Sequence, residues 1–341
     1  MKAAAIKGIK KLEIKDIQEP EADNENVLID VIKTGICGSD LHYFVAGDPK
    51  GLVMGHEFVG KVLDPGNRKD LKVGDRVTAL PISPCGNCPA CKKGNVQYCE
   101  KTWSEAVGLS LDNPGGFTSK IKVRPDMVVK VPDEVSDEEA AMVEPTAVAL
   151  HAIHLADIKV GDKVLVIGSG IIGMLCAMFA GMEGASYVAI SEANTSRGRK
   201  ATRLGVADRC YDAKDTKMLN KMRYDTIDGF DVVLECCGNS PAVSTSLMAV
   251  APGGTVVLVG VSLGTVTMPS IVAVTKELTI KGAIAYDAEE FNTCIDLMAT
   301  KKIDVLKFLD QIIPLSKIQN AFEELTSGKS STVKIIVDHN K

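Results

Sequence analysis

Four cysteines stand close together in one stretch that is rich in glycine and proline: Cys85, Cys88, Cys91 and Cys99. Their spacing, C-x2-C-x2-C-x7-C, lets four thiolates converge from one short segment, as a closed tetrahedral zinc site requires. Two disulfides are the alternative, but the first residues lack the apolar segment of a secretory signal, so an oxidising compartment is not indicated. We therefore predict a structural zinc ion in a lobe without regular helix or strand.

A second set of residue types that bind metals is spread over the first 145 residues. Cys37, His56 and Glu57 lie beside glycines in segments predicted to be loops between strands, and Glu144 follows in a further predicted loop. A thiolate, an imidazole and a carboxylate with one open position describe a catalytic zinc site. Taken singly, each residue could equally be a core cysteine, a hydrogen-bonded histidine or a glutamate at a helix start. The spacing does not decide which glutamate is the resting ligand.

A glycine-rich turn predicts a dinucleotide site. The sequence Gly-Ser-Gly-Ile-Ile-Gly directly follows the apolar run Val164–Ile167 and precedes an apolar helix, which is the context in which this pattern is specific. The first glycine permits the turn, the second lets the backbone approach a pyrophosphate, and the third packs the helix on the strand. The residues predicted to bind the cofactor here are Gly168, Gly170, Ile171, Ile172 and Gly173.

An acidic residue after the next predicted strand indicates which cofactor is bound. Glu192 follows the run Tyr187–Ser191, where a carboxylate would hydrogen-bond the adenosine ribose hydroxyls. Because this charge would repel a 2′-phosphate, NAD is favoured over NADP. Arg197 is a further candidate contact, although basic residues here are also typical of the solvent face of a helix.

The length of 341 residues favours two domains. The strands and helices that must position these residues also follow two different patterns along the chain. Residues 1–145 read as short strands punctuated by Gly, Pro, Asp and Asn. From about residue 146 to 285, compact apolar strands alternate with helices, which predicts a parallel sheet. Two amphipathic helices and a last strand follow. The predicted fold class is therefore α/β.

Composition limits the function classes. The net charge of −5 and the lack of a basic run with interleaved aromatics disfavour nucleic-acid binding. Val164–Met182 is uncharged and long enough to cross a bilayer, but its glycines favour a strand, a turn and a buried helix instead. Ten cysteines without a secretory segment indicate a reducing, cytoplasmic setting.

With these motifs the chain resembles the zinc-dependent medium-chain dehydrogenases/reductases. The motifs cover nearly the whole chain in the family's order. Glu144-Pro145 followed by His151, with no cysteine between Ala140 and His151, is similar to the polyol (sorbitol) and butanediol dehydrogenase branch. The matching motifs are Gly35-Ile36-Cys37-Gly38-Ser39-Asp40, Gly55-His56-Glu57, Lys72 to Val77, the four cysteines, Gly115-Gly116-Phe117, Glu144-Pro145 and Gly168 to Gly173.

The resemblance implies a fold and a set of roles. It implies a GroES-like β-rich catalytic domain over residues 1–145, completed by about 286–341, and a Rossmann doubly wound parallel-sheet domain over 146–285. Cys37 and His56 would be ligands of a Lewis-acid zinc, with Glu57 and Glu144 sharing the remaining role. It further implies a proton relay through Ser39 and His42, and substrate contacts from Tyr43 and Tyr286.

The resemblance also implies the reaction: hydride transfer between NAD(H) and a secondary alcohol or ketone, with two zinc ions per chain. Ala285 stands where sorbitol dehydrogenases have an arginine, which favours a small vicinal diol. A threonine-type or sugar-phosphate (galactitol-1-phosphate-like) dehydrogenase is one alternative, and a non-catalytic NAD(H)-binding redox sensor is another. Relatives form homodimers or homotetramers; the apolar run Ile271–Val274 would serve such a contact or form an internal strand.

Overall fold

The computed structural model describes residues 1–262 and 264–341, and the chain forms two compact units. The first unit contains Met1–Ala147, Tyr286–Gly328 and Lys334–Lys341. The second unit contains Val148–Ala285 and Lys329–Val333. Residues 329–333, which the resemblance placed with the catalytic domain, therefore group with the second unit.

The first unit is rich in strands, as its short apolar runs predict. Its strands, numbered in chain order, are β1 (Lys2–Gly8), β2 (Lys11–Asp16), β3 (Val27–Gly35), β4 (Glu57–Asp64), β5 (Arg76–Ala79), β6 (Lys120–Val123), β7 (Val128–Lys130), β14 (Leu309–Pro314) and β15 (Lys334–Asp338). β1 and β2 form an antiparallel pair. The others form a sheet in the order β14-β15-β3-β4-β5-β7, with β6 also paired to β3.

Helices of this unit connect and cover the strands. They are α1 (Gly38–Ala46), α2 (Pro89–Lys92), α3 (Asp137–Ala140), α4 (Val143–Ala156, which continues into the second unit), α10 (Ala288–Ala299) and α11 (Ile318–Thr326), with 3₁₀ turns at Val96–Tyr98, Pro125–Met127, Leu306–Phe308 and Leu315–Lys317. Apolar side chains of α1 and α11 pack with those of β1 and β15 in one core, where Phe322 contacts Phe44 and Phe117.

Two local predictions were wrong. The segment after Cys37 is not a loop but α1: the Asp40 carboxylate accepts the Cys37 N–H at 3.0 Å, and Gly47, at φ 71°, ends the helix. The cysteine lobe also contains one helical turn, α2, with Cys88 as its N-cap and Pro89 in its first turn. In both places a cap at the residue before the helix offsets the tendency of the neighbouring glycines and prolines to form turns.

The second unit is a parallel sheet with connecting helices. Its elements are β8 (Lys163–Ile167), α5 (Ile171–Met182), β9 (Tyr187–Glu192), α6 (Thr195–Arg203), β10 (Arg209–Asp212), α7 (Met218–Thr226), β11 (Phe230–Glu235), α8 (Ser240–Ala249), β12 (Val250–Leu258), α9 (Ser270–Thr275) and β13 (Thr279–Gly282). The strand order is β10-β9-β8-β11-β12-β13. Numbered within the unit, this is 3-2-1-4-5-6, the Rossmann order.

The apolar run at Ile271–Val274 is exposed and helical. It lies in α9, where Ile271 is 67% and Val274 72% exposed. Of the two alternatives for this run, an oligomer contact or an internal strand, the internal strand is therefore wrong. Of the helices within residues 1–262 and 264–341, none combines the length and the apolar character needed to cross a membrane.

Candidate active site

Three of the predicted ligands meet in the first unit. Cys37 follows β3, and His56 and Glu57 stand at the start of β4. Since β3 and β4 are antiparallel with Gly35 paired to Glu57, the end of one strand and the start of the other lie side by side. One ligand atom from each of Cys37, His56 and Glu57 falls within 4.8 Å of the others. This is a donor set that zinc accepts.

Two of the three side chains, His56 and Glu57, are shielded from solvent, and Cys37 is half-buried. His56 is 4% exposed; its Nδ1 lies 3.5 Å from Asp40 Oδ1 and its Nε2 lies 3.4 Å from Ser39 Oγ. Glu57 is fully buried, and its Oε1 has no hydrogen-bond partner among the residues that the structure describes. A buried carboxylate oxygen without a partner is costly. A cation bound by these residues would remove that cost, so the site fits a metal.

Lys334 is a site residue that the sequence analysis missed. It is the first residue of β15, is fully buried, and forms an ion pair with Glu57 Oε2. Its ammonium also donates to the Ile36 carbonyl at 3.1 Å. The available signal was a lysine inside the otherwise apolar run 333–337, because a charge in such a run requires a buried partner.

Glu144 lies near these ligands but does not join the group of three. It is the second residue of α4, and its Oε1 accepts a hydrogen bond from the Tyr286 hydroxyl at 3.0 Å. Burial raises the pKa of Glu144 to about 7, with His56 lowering it and Glu57 raising it. Burial, and then the Glu144 carboxylate, raise the pKa of Tyr286 as well. In the structure the Tyr286 hydroxyl is therefore hydrogen-bonded to Glu144, whereas the resemblance implied that Tyr286 contacts the substrate.

The other predicted residues of this unit lie along α1. Ser39 is half-buried beside His56, His42 is exposed, and Tyr43 is half-buried against the apolar core of the unit. Ser39 and His42 are three residues apart, so they lie on the same side of the helix. The series from His56 through Ser39 to His42 therefore runs from the buried group towards solvent.

The four clustered cysteines also converge. The sulfur of Cys91 lies 3.5 Å from that of Cys88 and 4.0 Å from that of Cys85, and all four sulfurs satisfy the 4.8 Å criterion. Backbone N–H groups of Cys88 and Lys101 point to the sulfurs of Cys85 and Cys99 at 3.3 and 3.4 Å. Such N–H donors favour thiolates. All ten cysteines of the chain are free of disulfides.

In the second unit, the glycine turn joins β8 to α5. Gly168 has φ 97°, a conformation that favours glycine, and Gly170 is the N-cap of α5. A Cβ at Gly173 would collide with the Gly168 carbonyl oxygen, whereas one at Gly170 would meet no atom within 4 Å. Ile171 and Ile172 form the first turn of α5, whose N-terminus is suited to a phosphate.

Glu192 and Arg197 form a buried network with this turn. The Glu192 carboxylate accepts from the Ser169 N–H at 2.9 Å, from the Ser169 hydroxyl at 2.7 Å and from the Arg197 guanidinium at 3.0 Å. Burial would raise the pKa of Glu192, but Arg197 and the backbone N–H groups hold it below its ordinary value. The carboxylate is therefore ionised and anchors the turn through Ser169, a link that the sequence analysis did not foresee.

A cleft of about 460 Å³ opens beside this network. Four of the residues predicted to bind the cofactor line it: Gly168, Gly170, Glu192 and Arg197. Cys237, Asn239 and Thr245 also line it and were not predicted, because no local pattern marks them. The cleft lies at the ends of β8, β9 and β11, where Rossmann sheets bind dinucleotides.

Two family models match the chain: the alcohol dehydrogenase GroES-like domain over residues 23–133 and the zinc-binding dehydrogenase domain over residues 172–300. The D-xylulose reductase A of Aspergillus niger is 33% identical over 340 residues, covering 95% of this chain and 93% of that protein. The chain belongs to the zinc-dependent medium-chain dehydrogenases.

Solved structures of other proteins are similar to this dehydrogenase. The 2R,3R-butanediol dehydrogenase of Bacillus subtilis has a TM-score of 0.86 and 31% identity, covering 99% of each chain. A Sinorhizobium meliloti 1021 protein described as a zinc-binding dehydrogenase, with NADP bound, has a TM-score of 0.87 and 28% identity, covering 99% of this chain and 98% of that one.

These comparisons confirm four expectations for this dehydrogenase. It has a GroES-like domain and a Rossmann-like domain, it falls in the polyol and butanediol branch, and it is a zinc-dependent oxidoreductase. The threonine-type, sugar-phosphate and redox-sensor alternatives are not favoured. The cofactor belongs to the NAD(P) class and the substrate is a small-molecule alcohol.

Proposed function

We propose that this enzyme oxidises one hydroxyl of a small vicinal diol or polyol to a ketone, and catalyses the reverse reaction, with NAD(H) as hydride carrier. One observation supports this proposal. The ligand atoms of Cys37, His56 and Glu57 lie together, and Glu57 Oε1 is buried there without a hydrogen-bond partner. Relatives named for D-xylulose and 2R,3R-butanediol support the substrate class.

Cys37, His56 and Glu57 would hold the catalytic zinc, which supplies a Lewis acid for the alcohol or carbonyl oxygen. Lys334 orients Glu57 by occupying Oε2, so Oε1 is the oxygen available to the metal. Asp40 lies beside the His56 ring with its Oδ1 3.5 Å from Nδ1, and neither atom completes a hydrogen bond among the described residues. Glu57 and Tyr286 are fully buried, so bulk water does not reach these two side chains.

The alcohol proton leaves along α1. Ser39 Oγ would accept it while its own hydroxyl proton passes to a ring nitrogen of His42, and the exposed His42 would release a proton to solvent. Ser39 is placed for this step by its contact with His56 Nε2 at 3.4 Å. Tyr43, half-buried on the same helix, contributes to the substrate side of the site.

A second zinc ion would be structural and held by the four clustered cysteines. Four cysteine ligands close the coordination sphere, so this ion stabilises the lobe and takes no part in the reaction. Ten disulfide-free cysteines support a reducing, cytoplasmic location for the enzyme.

NAD is the proposed cofactor. The ionised Glu192 faces the cleft and would repel a 2′-phosphate, and Arg197 is already engaged by Glu192. The substitution Glu192→Gln should therefore raise the KM for NAD and lower that for NADP. An unchanged ratio of the two KM values would contradict a discriminating role for Glu192.

A second copy of the chain is the proposed partner. β13 is the edge strand of its sheet, and the exposed apolar residues Ile271 and Val274 lie on α9. Together they offer an unpaired backbone edge and an apolar surface, which supports a homodimer or homotetramer. Sedimentation of the wild type and of Ile271→Asp tests this: a wild-type monomer would contradict it.

The decisive experiment measures NADH formation with xylitol, 2R,3R-butanediol and a simple secondary alcohol. We expect turnover with the diol or the polyol, loss of activity after chelation and recovery on adding zinc. Full activity in protein verified to be free of metal would contradict the role given to Cys37, His56 and Glu57.

A further inference from the structure

Two buried carboxylates face the proposed metal site, and the structure holds them in different ways. Glu57 joins Cys37 and His56, and its second oxygen is neutralised by Lys334. Glu144 stands outside this group and accepts a hydrogen bond from the neutral phenol of Tyr286. One carboxylate is therefore fixed beside the ligands by a cation, while the other is fixed away from them by a single hydroxyl.

Tyr286 is itself rigidly placed. It is fully buried, and its ring packs on Phe291 with a centroid distance of 5.5 Å. The preceding residue, Ala285, has φ 50°, a left-handed conformation that costs free energy for any residue with a Cβ. The capped start of α10 at Asp287 follows directly. The backbone thus keeps an unfavourable conformation at the position that aims the phenol at Glu144.

We propose that Tyr286 is a positioning residue that keeps the Glu144 carboxylate out of the metal's ligand set. The inference rests on the proposed function, because it concerns the zinc site formed by Cys37, His56 and Glu57. A metal held by three protein ligands retains a position for substrate, whereas a fourth protein ligand would produce the closed arrangement of structural sites. Without the Tyr286 hydroxyl, the buried Glu144 carboxylate loses its hydrogen-bond partner, and a cation is the available replacement.

The substitution Tyr286→Phe removes only the hydroxyl and keeps the packing on Phe291. In the cobalt-substituted enzyme we expect an altered visible d–d spectrum and release of cobalt to a chelator that is slower by about tenfold, a change opposite in sign to, and of the same size as, the smallest losses seen when a partner of a metal ligand is removed. We expect kcat to fall and the KM for NAD to stay unchanged. Tyr211→Phe is the matched control, since Tyr211 is also a buried phenol that donates to a carboxylate, that of Asp225.

Two further variants use Glu144 itself. In Tyr286→Phe/Glu144→Ala, cobalt release should return to the wild-type rate, because the additional ligand is gone. In Glu144→Ala alone, release should equal that of the wild type, because Glu144 is not a ligand while Tyr286 holds it. This single variant keeps the proposal falsifiable even if Tyr286→Phe does not fold, because faster release would show that Glu144 is a metal ligand in the wild type.

The outcomes separate the two proposals. If Tyr286→Phe keeps the wild-type spectrum and release rate, or if Glu144→Ala alone releases cobalt faster, the role given to Tyr286 is overturned. If the wild type binds cobalt only at the four-cysteine lobe, the proposed function fails instead.

Discussion

Lys334 and Glu57 form an ion pair in which both side chains are fully buried. Gly35 makes room for it, because a Cβ at this position would collide with Glu57 Oε2 and with the Lys334 ammonium. A buried ion pair gives little net stability, but removal of one partner leaves the other charge uncompensated. The pair therefore holds the Glu57 carboxylate in place within the proposed metal site.

Removal of the lysine should destabilise the metal-free protein strongly. Lys334→Met leaves Glu57 without a counter-charge, so we expect the free energy of unfolding to fall by about 3–5 kcal/mol. Added zinc should reduce the deficit, since the metal would neutralise the same carboxylate. Urea unfolding with and without zinc measures both effects. Lys2→Met is the control: its pair with Asp16 is exposed, and less than about 1 kcal/mol is expected. A deficit that zinc leaves unchanged would argue against a metal at Glu57.

The two groups of candidate metal ligands should be separable. Cys91→Ser removes one ligand of the clustered set, and we expect the protein to lose one of its two proposed zinc ions and to keep the other. Hydrogen exchange should accelerate within residues 85–101, because the lobe has little apolar core of its own. Metal analysis by mass spectrometry checks the content. Loss of both ions from a folded variant would contradict two independent sites.

Alanine substitutions at two glycines of the cofactor turn should have different effects, one on NAD binding and the other on stability. At Gly170 a methyl group meets no atom of the protein, so Gly170→Ala should fold normally but weaken NAD binding by about 10–100-fold, because the methyl occupies the pyrophosphate position. At Gly173 a methyl collides with the Gly168 carbonyl, so Gly173→Ala should lower stability by about 1–3 kcal/mol. Calorimetric titration with NAD and thermal unfolding distinguish the two. Normal NAD binding by Gly170→Ala would place the pyrophosphate elsewhere.

The contribution of Asp338, at the opposite end of β15 from Lys334, to the free energy of unfolding should depend on pH. Burial would raise the pKa of Asp338, but Lys33 at 2.5 Å and the Asn340 N–H hold it below the ordinary 3.8. A lowered folded-state pKa stabilises the protein above pH 3.8, and this contribution disappears as the pH falls through the folded value. Asp338→Asn should therefore cost about 1.5–3 kcal/mol at pH 7 and progressively less below pH 4.

Urea unfolding of Asp338→Asn at several pH values measures this dependence. Asp16→Asn is a matched control, because Asp16 pairs with a lysine at an exposed position. A difference between wild type and Asp338→Asn that stays constant with pH would show that packing, and not the charge of Asp338, is responsible.

The parts of this protein that sequence predicts well are those encoded locally. Cys85 to Cys99 and Gly168 to Gly173 are each contained in one short segment, so their spacing already limits how they can fold. The strands predicted on either side of the glycine turn, Val164–Ile167 and Tyr187–Ser191, match β8 and β9 to within one residue. The α1 segment was mispredicted because the Asp40 cap on the Cys37 N–H offsets the helix-breaking effect of its glycines.

The sequence by itself determined the residue types for two metal sites, the glycine turn of the cofactor site and the alternation of strands and helices. Only the tertiary structure decided which carboxylate joins Cys37 and His56. There, Glu57 is paired with Lys334, 277 residues away, and Glu144 with Tyr286, 142 residues away. These partners are brought together by sheet pairing and core packing. A local sequence pattern contains no information about partners that are so far apart in sequence. A buried charge or hydroxyl nevertheless needs such a partner, which only the folded chain supplies.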